Sequence, residues 1–213
     1  WTYARAMDIP LHIHDVCIMG DTLVVLGVSE TRTEVLHAYL MDGTHAASWG
    51  TPYRTSDPFI RFVTSEGRIL CFPDQTLIVL ALTRLPEVHG YGLDGTVRWI
   101  ARYEQYEPMH ILEGGDGSVQ LGLGSDRTAM QMLIGAAAAP DSHAIVQLGR
   151  YTRRDVEQHR TFSARLTYLI DTRSGEGGAI EWGLGTIGFL GSRMVVTHED
   201  DPYPRIVLRV QVD

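Results

Sequence analysis

Short apolar runs separated by polar turns set the pattern of this chain. Two of the runs, Leu23-Val24-Val25-Leu26 and Leu77-Ile78-Val79-Leu80, are apolar at every position. A strand alternates its side chains between two faces, so such a strand needs cover on both sides of its sheet. Each run sits in a similar setting. Cys17 to Leu26 aligns without a gap on Cys71 to Leu80 at an offset of 54 (71 − 17), and His37 to Thr44 aligns on His89 to Thr96 at an offset of 52 (89 − 37). Recurrence at about fifty residues marks a repeat architecture. The pattern predicts four strands per repeat: Val16–Met19, Leu23–Val28, Val35–Leu40 and Thr44–Trp49, then Arg68–Phe72, Leu77–Leu82, Val88–Gly92 and Thr96–Ile100. Asp42-Gly43 and Asp94-Gly95 supply the tight turns. No helical pattern separates the repeats, so the cover on each sheet is expected to be another sheet. A β-propeller provides that arrangement.

The later half is less regular. A reduced hairpin is expected at 111–123, around Gly114-Gly115-Asp116-Gly117. The stretch 125–139 fits either a strand or a short helix. Another unit follows, with Leu166 to Asp171 repeating the Tyr-x-x-Asp of the earlier third strands. Phe189 to Val196 lies over Ile18 to Val25, and Ile206–Val212 reads as the third strand of a last unit that lacks a fourth. The N-terminal segment 1–11 reads as a lone strand able to supply it. The sum is an all-β single domain over 1–213, a β-propeller of about five four-stranded antiparallel units, one of them reduced.

This blade template, with the ending Asp201-Pro202-Tyr203-Pro204-Arg205-Ile206-Val207-Leu208-Arg209-Val210, resembles the six-bladed propeller proteins of bacterial envelopes, the NHL and TolB-like propellers. The resemblance implies an extracytoplasmic, periplasmic or envelope-associated place and a binding role. It carries no fixed catalytic residues. It also leaves room for a shortened ring, or for the last blades of a six-bladed one. The first residue is Trp1 rather than Met, so the chain is read as processed, truncated or a portion.

Composition narrows the function. The net charge is −8, all eighteen basic residues are Arg, and Asn is absent. A chain without a basic excess is not expected to bind nucleic acid. No run approaches the roughly 18 apolar residues of a membrane-spanning helix, and no signal peptide is evident. Propeller hydrolases of the lactonase type use Asn among their calcium ligands, and this chain has none.

Candidate chemistry is sparse. His12-x-His14-Asp15 places potential metal ligands on one strand, without a second cluster to complete a site. His198-Glu199-Asp200-Asp201 is an acidic loop without EF-hand spacing. His37 and His89, at matched positions, read as structural. Cys17 and Cys71 read as free, buried thiols at equivalent repeat positions. No Gly-x-Ser-x-Gly elbow or P-loop occurs. No catalytic, metal or cofactor residue is therefore assigned, and no cofactor is expected. The leading expectation is a non-enzymatic module that binds another protein, as an accessory or scaffold subunit of an envelope or membrane-associated complex. The alternatives are a small-ligand or ion-binding propeller and a propeller hydrolase of unrecognised type. Long loops rich in Tyr and Arg suggest the partner surface: Tyr53, Arg54, Tyr103, Tyr106, Tyr151, Arg153, Arg154 and Tyr203.

Overall fold

The computed structural model describes residues 6–50, 53, 55, 57–113, 118–158, 162–180, 185–190, 193–198 and 205–211. Sheet I contains β1 (His12–Met19), β2 (Thr22–Val28), β3 (Leu36–Leu40) and β4 (His45–Trp49). The short helix α1 (Pro58–Thr64) leads to sheet II: β5 (Gly67–Phe72), β6 (Leu77–Leu82), β7 (Glu87–Gly92) and β8 (Val97–Arg102). A hairpin of β9 (His110–Glu113) and β10 (Val119–Gly122) follows. Sheet III contains β11 (Ala129–Ala139), β12 (His143–Thr152), β13 (Ala164–Asp171) and β14 (Gly177–Ile180), with α2 (Arg153–Glu157) after β12. Sheet IV contains β15 (Gly185–Leu190), β16 (Arg193–His198) and β17 (Arg205–Gln211). All strand pairs are antiparallel between chain neighbours.

The first strands of the four sheets are neighbours in order: β1 beside β5, β5 beside β11, β11 beside β15. The core lies between the sheets, and β6 shows why. Its Ile78, Leu80 and Leu82 pack with Val24, Leu26, Leu36 and Ala38 of sheet I. Its Leu77, Val79 and Ala81 pack with Ala144, Val146 and Leu148 of sheet III. Every residue of β6 is buried. The doubly apolar strand is thus explained by a sheet on each side. Trp99 ties sheets II and III, since its Nε1 donates to Thr172 O at 2.7 Å. This stack of antiparallel sheets is compatible with a propeller-like fold.

Several expectations are corrected. The reduced hairpin expected at 111–123 forms, as the two-stranded sheet of β9 and β10, but it stands outside the row, because β11 lies directly beside β5. The described row therefore has four sheets rather than five. Of the two readings for 125–139, strand is the one found, over Ala129–Ala139 as the long strand β11. Sheet IV has three described strands, and residues 6–11 carry no strand that completes it. Residues 1–5 lie outside the described residues.

The thiol expectation is overturned: Cys17 and Cys71 form a disulfide. The hairpin registers give the reason. Met19 faces Thr22 across a turn of two residues, 20–21, whereas Phe72 faces Leu77 across four, 73–76. Matched by the direction they face, Met19 corresponds to Phe72, an offset of 53 (72 − 19), and Val24 to Val79, an offset of 55 (79 − 24). The gapless offset of 54 averages these two and misassigns the face of each strand. A slip of one residue moves a side chain to the opposite face of its sheet. Cys17, sharing a face with Met19, points to sheet II. Cys71, one residue from Phe72, points back to sheet I. Their Cα atoms are 5.8 Å apart, within bonding reach. Asp15 adds a second tie between the same strands: its Oδ2 accepts from Ile69 N at 3.0 Å.

Candidate functional site: the open face of sheet I

One face of sheet I packs on sheet II. The other carries Val16, Ile18, Leu23, Val25, His37, Tyr39, His45 and Ser48, as the registers require once Val24, Leu26 and Ala38 face sheet II. Its counterpart in sheet II, found by the offsets of 53 and 55 for the first two strands and 52 for the third, carries Ile69, Cys71, Ile78, Leu80, His89 and Tyr91, and that face is covered by sheet I. The two faces have similar chemistry, and Val25, His37 and Tyr39 are as buried as Leu80, His89 and Tyr91, so the faces differ in exposure at the edge strand. Ile69 is 3% exposed, whereas its counterpart Val16 is 48% exposed, and Ile13 and Ile18 beside it are 48% and 56% exposed. Three exposed apolar side chains thus lie on one edge strand, β1.

The outer end of that face is polar. His37 is fully buried, and its Nε2 donates to Gly27 O at 3.3 Å. That bond leaves Nδ1 to accept from Ser48 Oγ at 2.8 Å. Arg32 comes in from the β2–β3 loop, and its Nη1 donates to Ser48 Oγ at 2.9 Å and to His45 Nε2 at 2.7 Å. Tyr39 lies edge-on to His45 with ring centroids 5.2 Å apart. Arg32, His37, Tyr39 and His45 line a pocket of about 700 Å³ together with residues 8–12 and 28–31.

The matched histidine of sheet II is tied differently. His89 Nε2 lies 3.0 Å from Glu87 Oε2, and its ring stacks on Tyr91. Burial lowers the pKa of both His37 and His89, and of His14, which packs against Phe62. Their unfolded-state value is about 6.5. Below that value the unfolded chain takes up protons that the folded histidines refuse, so stability falls with pH. It is fully present above about pH 6.5 and drains away until the lowered folded values are passed. Asp94 and Asp171, held below the usual carboxylate range chiefly by hydrogen bonds from Thr96 and from the Arg173 backbone, extend the loss to still lower pH. The melting temperature is expected to be flat from about pH 8 to 7 and to drop between about 6.5 and 5. A flat profile through the second interval contradicts this account of the histidines.

The residues singled out from the sequence scatter. Tyr103 is 6% exposed and belongs to the core between sheets II and III, with its ring 4.9 Å from that of Tyr168. Tyr106 packs on the same core, and its hydroxyl donates to Gln131 O at 2.9 Å. Burial raises both phenols. Arg153 is spent on backbone oxygens, donating to Gly124 O at 3.0 Å and Arg127 O at 2.9 Å. Tyr151 is half-buried against Phe162. Tyr53 and Arg154 are exposed. Arg54, Tyr203 and the loop 199–201 lie outside the described residues. Tyr103 and Tyr106 follow β8 directly and fill the gap between sheets II and III. Tyr103 and Tyr106 are thus corrected from surface anchors to packing residues. Of the metal candidates, His12 and His14 pack on the Phe62 ring, and Asp15 accepts from the backbone of Val16 and Ile69.

The sequence singled out His37 but missed Arg32, His45, Ser48 and the exposed trio of β1. Arg32 stands in a polar loop with no motif. Val16 and Ile18 look like any apolar strand residues until the register assigns them to an uncovered face. No known protein family matches the chain, and no curated protein matches it.

Proposed function

We propose that the protein is a non-catalytic module of the β-propeller type, and that it binds a partner protein through the open face of sheet I. The partner contributes an apolar β-sheet face that covers Ile13, Val16 and Ile18 as sheet I covers Ile69 in sheet II. The observation carrying this reading is the difference in exposure between matched edge-strand positions, Val16 at 48% and Ile69 at 3%. An apolar edge strand beside a polar, Arg-bearing region also suits a protein interface. The disulfide supports an oxidising, extracytoplasmic compartment, where such bonds persist, and hence an accessory role in an envelope-associated complex. Substituting Ile18 by Asp is expected to abolish co-purification of the partner from native extract. Val97→Asp, at an exposed position on β8, is expected to leave it intact. Equal capture by both variants contradicts the placement.

A hydrolase reading has one observation in its favour. Ser48 donates to a neutral, buried His37 that a backbone carbonyl holds in one tautomer, the relation of a nucleophile to its base. The hydroxyl of Ser48 is also engaged by Arg32, so we assign the pair to holding that guanidinium. A fluorophosphonate probe is expected to leave the chain unlabelled. Covalent labelling of Ser48 would establish the hydrolase instead.

A further inference from the structure

We propose that the pocket over β3 and β4 binds a small polyhydroxylated carboxylic acid of the uronic acid type, with Arg32 as the carboxylate receptor. The pocket lies on the same face of sheet I as the partner patch, which is centred on β1, and titration of the isolated chain reads the pocket without the partner.

The guanidinium is held by a relay of hydrogen bonds. Gly27 O orients His37, His37 accepts from Ser48, and Ser48 and His45 both accept from Arg32 Nη1. Fixing the guanidinium in advance removes part of the entropy cost of binding. Among the described residues Arg32 forms no ion pair and no hydrogen bond from Nε or Nη2. Those two nitrogens form the edge of the guanidinium that takes a carboxylate with two parallel hydrogen bonds. Arg32 lies exposed on the pocket lining, so this edge is accessible to an anion.

The walls define the rest of the ligand. Asp8 and Glu30 line the same pocket, together with Ser29 and Thr31, whose hydroxyls lie 3.1 Å apart. Carboxylates accept hydrogen bonds from hydroxyl groups and oppose every anionic group, so a fitting ligand sets hydroxyls against Asp8 and Glu30 and a single acidic end against Arg32. The volume of about 700 Å³ lies within the usual range for small-molecule sites. Sugar acids meet each of these requirements.

The test is isothermal titration of the full chain with sodium D-glucuronate, with D-glucose as the neutral control. Saturable binding of glucuronate is expected, with glucose at least tenfold weaker. Arg32→Gln is expected to weaken glucuronate at least tenfold while leaving the circular dichroism spectrum and melting temperature unchanged. Arg32→Lys, which keeps the charge and loses the fork, is expected to recover part of the affinity and covers the case of a misfolded Gln variant. Failure of glucuronate to bind, equal binding of glucose, or unchanged binding in both Arg32 variants overturns the proposal.

Discussion

Replacing both cysteines by Ala is expected to cost the protein about 2 to 4 kcal/mol of stability. The bond closes a loop with a sequence separation of 54 residues. The chain-entropy treatment of a loop that long gives an upper figure of about 4 kcal/mol, and strain or residual structure in the unfolded chain reduces it. The position adds a second consequence. The bond joins the first strands of sheets I and II, at the interface that buries Val24, Leu26, Ile78 and Leu80. Losing it frees sheet I to separate from sheet II before the remainder unfolds, so the double variant should also unfold less cooperatively. Thiol titration in denaturant should find no reactive group before reduction and two after it. Two thiols before reduction would contradict the assignment.

Leu80→Ala is expected to cost about 2 to 5 kcal/mol, the usual range for a large-to-small change at a site that cannot collapse. Leu80 is fully buried and sits in the cluster between sheets I and II, in the middle of a strand covered on both faces. Val16→Ala on the open face removes an apolar side chain that is about half exposed already, and should change stability by less than about 0.5 kcal/mol. Chemical denaturation of the two variants checks the contrast directly. Equal losses at both positions would mean that the two faces are equally covered in solution.

The strands, their order and their tight turns were legible in the sequence. Asp42-Gly43 and Asp94-Gly95 adopt the turns that their residue types favour, with φ of 94° at Gly43 and 81° at Gly95 and with Asp42 and Asp94 accepting from the backbone of Thr44 and Thr96. Leu77 to Leu80 announced cover on both faces by its pattern alone. The register was not legible, because a longer turn at 73–76 is compensated in a gapless alignment and changes no residue type. That hidden slip decides whether Cys17 and Cys71 face each other, and it decided wrongly from sequence. The two helices were missed for a different reason. At seven and five residues they lack room for an apolar period, and only their caps mark them: Asp57 before Pro58, and Thr152 with Asp155 in a capping box. Tyr103 and Tyr106 share a composition with interface anchors and a position with core fillers, and sequence cannot separate those roles. Arg32 was illegible because its meaning comes from His45 and Ser48, 13 and 16 residues away on another strand.

The central claim is that the inner, apolar part of the open face of sheet I receives a partner. A photoactivatable benzoylphenylalanine placed at position 18 tests it most directly, with the same residue at position 100, an exposed site on β8, as the comparison. Irradiation in native extract is expected to give one discrete heavier species from the position-18 protein and none from the position-100 protein. Peptide mapping should place the junction in a β-strand of the partner. Cross-linking from position 100 with none from position 18 would contradict the account.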